Sequence, residues 1–217
     1  MKDAKGERGV QTMIIIDCEQ RGEQWFLERL GKPSSSRFGE IFTPTGLPSK
    51  QAKKYMMELA GERLIGVKPE SYQNMNMIRG SEMEGEARQF YEMINNVKVQ
   101  QIGCCFQDDR KLWVSSPDGV VGDDGLLEIK SPTLSVAVEY LLNQKIPTIY
   151  IPQLQGQILT TGRKWVDFLS YYPGLPPLII RVPRDDKFCA ALKVELESFC
   201  EELDRVTDKL KGIDDNV

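Results

Sequence analysis

The run Leu126-Leu127-Glu128-Ile129-Lys130 constrains this chain more than any other. Its apolar residues predict a β-strand, and side chains two apart on a strand point to the same face. Glu128 and Lys130 therefore project together from a hydrophobic strand. Gly122-Asp123-Asp124-Gly125 ahead of it predicts a turn, with Val120-Val121 as the facing strand. The hairpin brings Asp118 of Ser116-Pro117-Asp118 alongside. Two carboxylates and one ammonium at the end of a sheet can hold a divalent metal and poise a water. The plain alternative is a surface ion pair on an edge strand. Leu126, Leu127 and Ile129 weigh against it, because charge ending a buried strand must be compensated.

The chain has 217 residues and no histidine. That excludes Ser-His-Asp and Cys-His catalysis, HExxH zinc hydrolysis and histidine-metal nucleases. Hydrolytic chemistry here must run on carboxylates, lysine, water and an oxygen-loving ion, Mg²⁺ or Mn²⁺. The five cysteines, Cys18, Cys104, Cys105, Cys189 and Cys200, include no CxxC pair and group no zinc ligands. They read as buried small hydrophobes or inert thiols. No apolar run has the length of a membrane span. The start, Met1-Lys2-Asp3-Ala4-Lys5-Gly6, lacks an apolar signal core, so the expected location is the cytoplasm. A net charge of −4 argues against broad, non-specific nucleic-acid binding but not against a local basic channel, for which Lys50, Lys53, Lys54, Arg110 and Lys111 are candidates.

The length suits one domain over residues 1–217, with 1–12 polar and disordered. Helices are expected from Cys18 to Leu30 (closed by Gly31), from Arg37 to Ile41 capped by the serines of Ser34-Ser35-Ser36, from Ser49 to Leu64, and from Asn76 to Ile94. A β-rich block follows, with strands at Val97 to Phe106, Leu112 to Ser115, Val120-Val121 and Leu126 to Ile129. Helices at Ser135 to Leu142 and Ile151 to Thr160 precede strands at Trp165 to Tyr171 and Leu178 to Val182. The last segment, residues 185–211, is a long amphipathic helix. Its stripe of Phe188, Leu192, Leu196, Phe199, Leu203, Val206 and Leu210 suits docking on the chain's own core. The expected fold is α/β: a central mixed sheet flanked by helices, with the metal site at one end.

Asp118 and Glu128 are the candidate metal ligands, and the carbonyl of Ile129 is a third, since backbone oxygens suit hard cations. Lys130 is then placed to orient the attacking water or to stabilise transition-state charge. The upstream helix offers Glu82, Glu84 and Glu86, which cannot all share one helix face, so at most two reach the metal.

These residues carry a family resemblance. The chain resembles the lambda-type exonucleases, the YqaJ-like viral recombinase nucleases of the PD-(D/E)XK superfamily. The match runs from Cys18 to Leu210. In order it comprises Glu23-Gln24-Trp25-Phe26-Leu27-Glu28-Arg29-Leu30-Gly31, a serine turn, a Glu-x-x-Ala-Arg helix, Ser116-Pro117-Asp118-Gly119, Leu127-Glu128-Ile129-Lys130-Ser131-Pro132, and Pro152-Gln153-Leu154-Gln155-Gly156-Gln157. PD-(D/E)XK alone is a weak pattern, whereas all six motifs in this order are specific. The resemblance implies a restriction-endonuclease-like core and a Mg²⁺-dependent 5′-to-3′ exonuclease on double-stranded DNA ends that leaves 3′ single-stranded tails. It also implies a homotrimeric ring, a single-strand annealing partner and a phage or prophage origin. It places Asp118, Glu128 and Lys130 on catalytic positions and selects Glu84 as the helical acid. It assigns Arg29, Ser36, Ser116 and Gln153 to the 5′-terminal phosphate, a donor set suited to that anion. Taken alone, Arg29 reads as a surface ion pair with Glu23 or Glu28, and Gln153 as a helix-surface amide. The family's turn reads Thr-Ala-Ser where this chain has Ser34-Ser35-Ser36, which leaves Ser35 as an alternative to Ser36. Gln155 and Gln157 are alternatives to Gln153. Rival classes are another PD-(D/E)XK nuclease (an endonuclease, or a Cas4-like enzyme whose four cluster cysteines do not fit adjacent Cys104 and Cys105), an inactive DNA-binding module, and an interaction protein using the C-terminal helix.

Overall fold

The computed structural model describes residues 13–67 and 75–214, except the side chains of 75–82 and 214. In chain order its elements are β1 (Ile14–Ile16), α1 (Glu23–Arg29), a 3-10 turn (Ser35–Glu40), α2 (Ala52–Ile65), α3 (Met75–Asn95), β2 (Val99–Gln100), β3 (Cys104–Phe106), β4 (Gly119–Val121) and β5 (Gly125–Lys130). Then come α4 (Leu134–Asn143), a second 3-10 turn (Thr148–Tyr150), α5 (Ile151–Thr161), β6 (Trp165–Ser170), β7 (Leu178–Pro183) and α6 (Asp186–Asp214). The five-stranded sheet runs β2-β4-β5-β6-β7, with β1 and β3 forming a separate antiparallel pair. Only β5 and β6 pair in parallel within the large sheet, which makes it mixed.

β5 lies in the middle of this sheet, so Glu128 and Lys130 are not an edge-strand ion pair. The period-two pattern of the strands sets the two faces. Leu126, Val166 and Phe168 pack with Leu154 and Ile158 of α5 and with α6. Leu127, Ile129 and Leu169 face the other way, onto Ala87 and Tyr91 of α3. Glu128 and Lys130 therefore fall on the face that α5 covers.

The long last helix is part of the core. Leu192, Leu196 and Leu203 are fully buried and Phe199 nearly so, with Phe188, Val206 and Leu210 packed at the margins. Its stripe is covered by α2 and α5 of the same chain.

Several boundaries differ from expectation for physical reasons. The run Val97 to Phe106 is two strands in two sheets, β2 and β3, with Gly103 between them. A Cβ on Gly103 would sit 2.4 Å from Cys18 Sγ and 2.5 Å from Cys18 O, so only glycine fits where the chain changes sheets. Leu112 to Ser115 makes only isolated bridges, Val114 to Ser34 and Ser115 to Cys105. The serine turn leads into a 3-10 turn rather than an α-helix, and Ser34 caps it without a side-chain hydrogen bond. α1 begins at Glu23 rather than Cys18, because Gly22 is extended and serves as its N-cap. β1 was not anticipated; its three isoleucines pair with Cys104 to Phe106. The expectation of disorder for residues 1–12 lies outside the described residues.

Leu196 is fully buried on the face of α6 that meets the core. Leu196→Ala should lower unfolding free energy by about 2–5 kcal/mol in a denaturant titration, as for a core position rather than a partner-binding surface.

Candidate active site

Glu128 is 3% exposed, and its carboxylate is surrounded by donors. Gln153 Nε2 donates to Oε1 and Gln157 Nε2 donates to Oε2, each at 2.6 Å. Lys130 Nζ donates to Oε1 at 2.5 Å. The glutamines are four apart on α5, so they share the helix face turned to the sheet. Gln155 lies on the opposite face. Its amide donates to Pro183 O at 2.9 Å and accepts from the Asp185 N–H at 2.9 Å, which ties α5 to the start of α6. The helix phase thus places both Gln153 and Gln157 at the acid and takes Gln155 away from it. Gln157 is fully buried and its Oε1 has no partner among the described residues.

Asp118 lies just ahead of β4 and accepts the Ile129 N–H on Oδ2 at 2.6 Å. The backbone group of Ile129 that meets the acids here is its amide. Gln20 braces the approach to Asp118, donating from one amide to Ile102 O at 2.8 Å and to Pro117 O at 3.0 Å. Burial, then Glu128, then Glu84 push the Asp118 carboxyl well above the usual carboxylate range, against Lys130 and the Ile129 amide. Burial alone would lower the Lys130 ammonium, but Glu128 and Asp118 outweigh it and hold it above an ordinary lysine. Glu84 sits on α3 between two arginines, Arg21 at 3.0 Å and Arg88 at 3.1 Å. Glu86 turns elsewhere and accepts the Tyr171 hydroxyl at 2.6 Å. The side chain of Glu82 lies outside the described residues.

A second cluster adjoins Asp118. Ser116 Oγ accepts Trp25 Nε1–H and Arg29 Nη1–H, each at 3.0 Å. The Arg29 guanidinium stacks on the Trp25 ring, 4.1 Å from its centroid. Burial lowers the Arg29 pKa, and Tyr55, Cys104 and Glu62 oppose that. Arg29 is therefore no surface ion pair. Its helix is clamped at Gly31, whose N–H donates to the buried Glu62 carboxylate at 3.0 Å while Arg63 Nε donates to Gly31 O at 2.7 Å. Gly31 has φ of +62° and a Cβ there would meet Arg63, so the clamp requires glycine.

Ser36 is exposed, whereas Ser35 is 2% exposed with its N–H on Val114 O. Ser36 Oγ lies 3.2 Å from Ser34 Oγ. It lines an open cleft of about 350 Å³ together with Arg37, Thr43, Ser49 and Gln153. The structure thus brings Asp118, Glu128, Lys130, Gln153 and Gln157 into one cluster with Glu84 beside it, and Arg29 and Ser116 into another. Ser36 contacts neither cluster and shares only the lining of a cleft with Gln153. Of the basic candidates, Lys111 pairs with Glu28 at 3.3 Å, and Arg110 with Asp108 and Glu197. The role of Trp25 was not anticipated. Its place four residues before Arg29 on a helix was the available signal.

The acids fit a hard divalent cation. Among the described residues no three His, Cys, Asp or Glu side chains are grouped to hold a metal. Two carboxylates with no sulfur or imidazole suit Mg²⁺, which keeps several waters and uses one or two protein carboxylates with substrate oxygens. The Asp118 carboxyl is raised by burial first and then by Glu128 and Glu84, and a cation between the acids would relieve the like-charge part.

A central mixed sheet with an acid ahead of one strand and an acid and lysine on the next is the core of a PD-(D/E)XK nuclease. A family model for the YqaJ-like viral recombinase domain matches residues 24–164. The chain belongs to this family. It is similar to an alkaline exonuclease from Laribacter hongkongensis, LHK-Exo, at 35% identity and a TM-score of 0.82, over 90% of this chain and 99% of that one. A structure of LHK-Exo in complex with dAMP matches equally well. A phage-related exonuclease from Haemophilus somnus shares the fold, with a TM-score of 0.61 at 14% identity over 82% of this chain and 96% of that one. No curated protein matches the sequence significantly. Fold and family make this chain a deoxyribonuclease. Among the described residues no helix is long and apolar enough to cross a membrane.

The raised Asp118 carboxyl has a consequence for stability. The folded chain keeps a proton that the unfolded chain gives up at the ordinary carboxylate value. Stability therefore falls as pH rises from that value through the folded one. In a chelator at neutral pH, Asp118→Asn should melt higher than the wild type. The gap should close below about pH 4, where both states are protonated. An equal or lower melting temperature for the variant at neutral pH would contradict this account.

Proposed function

We propose that the chain is a Mg²⁺-dependent exonuclease that degrades one strand of duplex DNA from a 5′ end and leaves 3′ single-stranded tails for recombination by strand annealing. The observation that carries this is the bonding of Ser116. A hydroxyl has two acceptor sites and one proton. Trp25 and Arg29 occupy the acceptor side, so Ser116 has its proton left to give. A hydroxyl that can only donate, beside a half-buried guanidinium and two residues from Asp118, suits a terminal phosphate held next to the hydrolytic acids.

In this assignment Asp118 and Glu128 hold the cation with the Ile129 carbonyl, and Glu84 is the further acid on α3. Bound there, the divalent ion supplies an activated water and neutralises charge on the phosphate. Gln153 and Gln157 keep the Glu128 oxygens oriented. Lys130 places its ammonium against the developing phosphorane charge. Arg29, Ser36, Ser116 and Gln153 bind the 5′-phosphate. Reading the terminal phosphate beside the cleavage site selects the first phosphodiester from a 5′ end, and the product is a nucleoside monophosphate. LHK-Exo, the similar alkaline exonuclease, has a structure in complex with dAMP, in keeping with such a product. The whole chain acts as one nuclease domain, in a cytoplasm, with three copies in a ring around the duplex and a single-strand annealing protein receiving the tails. The family resemblance supports these last assignments.

The test is digestion of linear duplex DNA labelled at each strand end, with and without a 5′-phosphate, in Mg²⁺, Mn²⁺ or chelator. Label should leave 5′ ends as mononucleotides, only with a divalent ion and faster from phosphorylated ends. Release from 3′ ends first, or cutting of closed circles, would overturn the assignment. Lys130→Ala should slow the reaction on the order of 10²–10³-fold, and Asp118→Ala should abolish it, both with the fold retained. Arg29→Ala should reduce the preference for phosphorylated ends roughly tenfold to a hundredfold, as for loss of a charge-assisted hydrogen bond.

A further inference from the structure

The second 3-10 turn ends at Tyr150, directly ahead of α5. Tyr150, Gln153 and Gln157 are spaced by three and four residues, so they occupy one helical face. Both glutamines bond Glu128. The Tyr150 ring lies beneath the other member of the pair, with Lys130 Nζ 5.1 Å from its centroid. One face of one helix thus contacts the acid and the lysine together. The ring is itself held in place. Its centroid is 5.4 Å from that of Phe168 at 37°, and Phe168 is fully buried. Tyr140 of α4 packs on the same Phe168 ring, 6.4 Å between centroids.

The lysine needs such a restraint. Its four-carbon stem carries about 2 kcal/mol of rotamer entropy and its charge is a point rather than a fork. In the structure Glu128 anchors it, but Gln153 bonds the same Oε1 and Gln157 holds the other oxygen. A lysine that turns its protons toward a phosphate loses part of that anchor. An aromatic face attracts the ammonium through its quadrupole and uses none of its N–H donors. It can therefore hold Nζ in place while the donors are redirected.

We propose that Tyr150 is a positioning residue for Lys130, its ring face holding the ammonium at the reaction centre. This rests on the nuclease assignment above, so wild-type digestion of 5′-labelled duplex in Mg²⁺ is measured first; failure there removes the assignment itself. With an active wild type, the full chain is compared with Tyr150→Phe, which keeps the ring, and Tyr150→Met, which fills the space without one. Melting temperature and its rise on adding Mg²⁺ check the fold and the acids in each. Tyr150→Met should lower kcat about 5- to 30-fold, the range for loss of a partly desolvated cation–π contact, with KM for duplex ends within about twofold. Tyr150→Phe should stay within about threefold of wild type. Should the Met variant fold poorly, Tyr150→Leu replaces it in the same comparison. Equal losses in Phe and Met, a Met variant as fast as wild type, or a loss confined to KM would each overturn the proposal.

Discussion

Glu128 carries a carboxylate into the middle of a sheet, and the surrounding structure is arranged around that charge. An unpaired carboxylate there would be far costlier than any single contact is worth. Three donors offset it: the amides of Gln153 and Gln157 and the ammonium of Lys130. Two of the three come from α5, so the acid determines which face of that helix turns to the sheet. The opposite face, through Gln155, fastens α5 to Pro183 and Asp185, and so to α6. Satisfying one buried charge thereby links the central strand, the crossover helix and the terminal helix.

Asp118 has a different environment. Burial first, then Glu128 and Glu84, raise its carboxyl, and Lys130 and a single backbone N–H only partly oppose them. The contrast suits a hydrolytic centre: one acid fully satisfied by protein, the other short of positive charge. Two residues before it, Ser116 belongs to a cluster built by α1, with Trp25 spanning Ser116 Oγ and Gly103 O at 3.2 Å. The loop from Ser116 to Asp118 is therefore held at both ends.

Much of this was legible locally. The pairing of Glu128 with Lys130 follows from strand periodicity alone, and so does the burial of the α6 stripe from helical periodicity. The hairpin between Val120 and Leu126 was marked by its turn residues. What failed locally depended on distant contacts. Gly103 interrupts the expected Val97 to Phe106 strand because Cys18, far away in sequence, occupies the space a side chain would need. Leu112 to Ser115 has strand-like residues but finds only single bridges. The glutamines of α5 showed in the sequence as three candidates. Which of them turn to Glu128 required the register of helix on sheet.

By itself the sequence determined the chemistry: no histidine, two acids and a lysine around one predicted strand, and a family pattern that selected Glu84 and Arg29. These are matters of residue type and short-range spacing, which the backbone periods transmit directly. Tertiary structure alone decided that β5 is central rather than at an edge, and that Gln153 and Gln157 share Glu128. It also decided that Ser36 opens to the cleft while Ser35 is buried, and that Tyr150 lies under Lys130. Each of those depends on how separate elements pack, and packing sums many weak contacts between residues far apart in the chain.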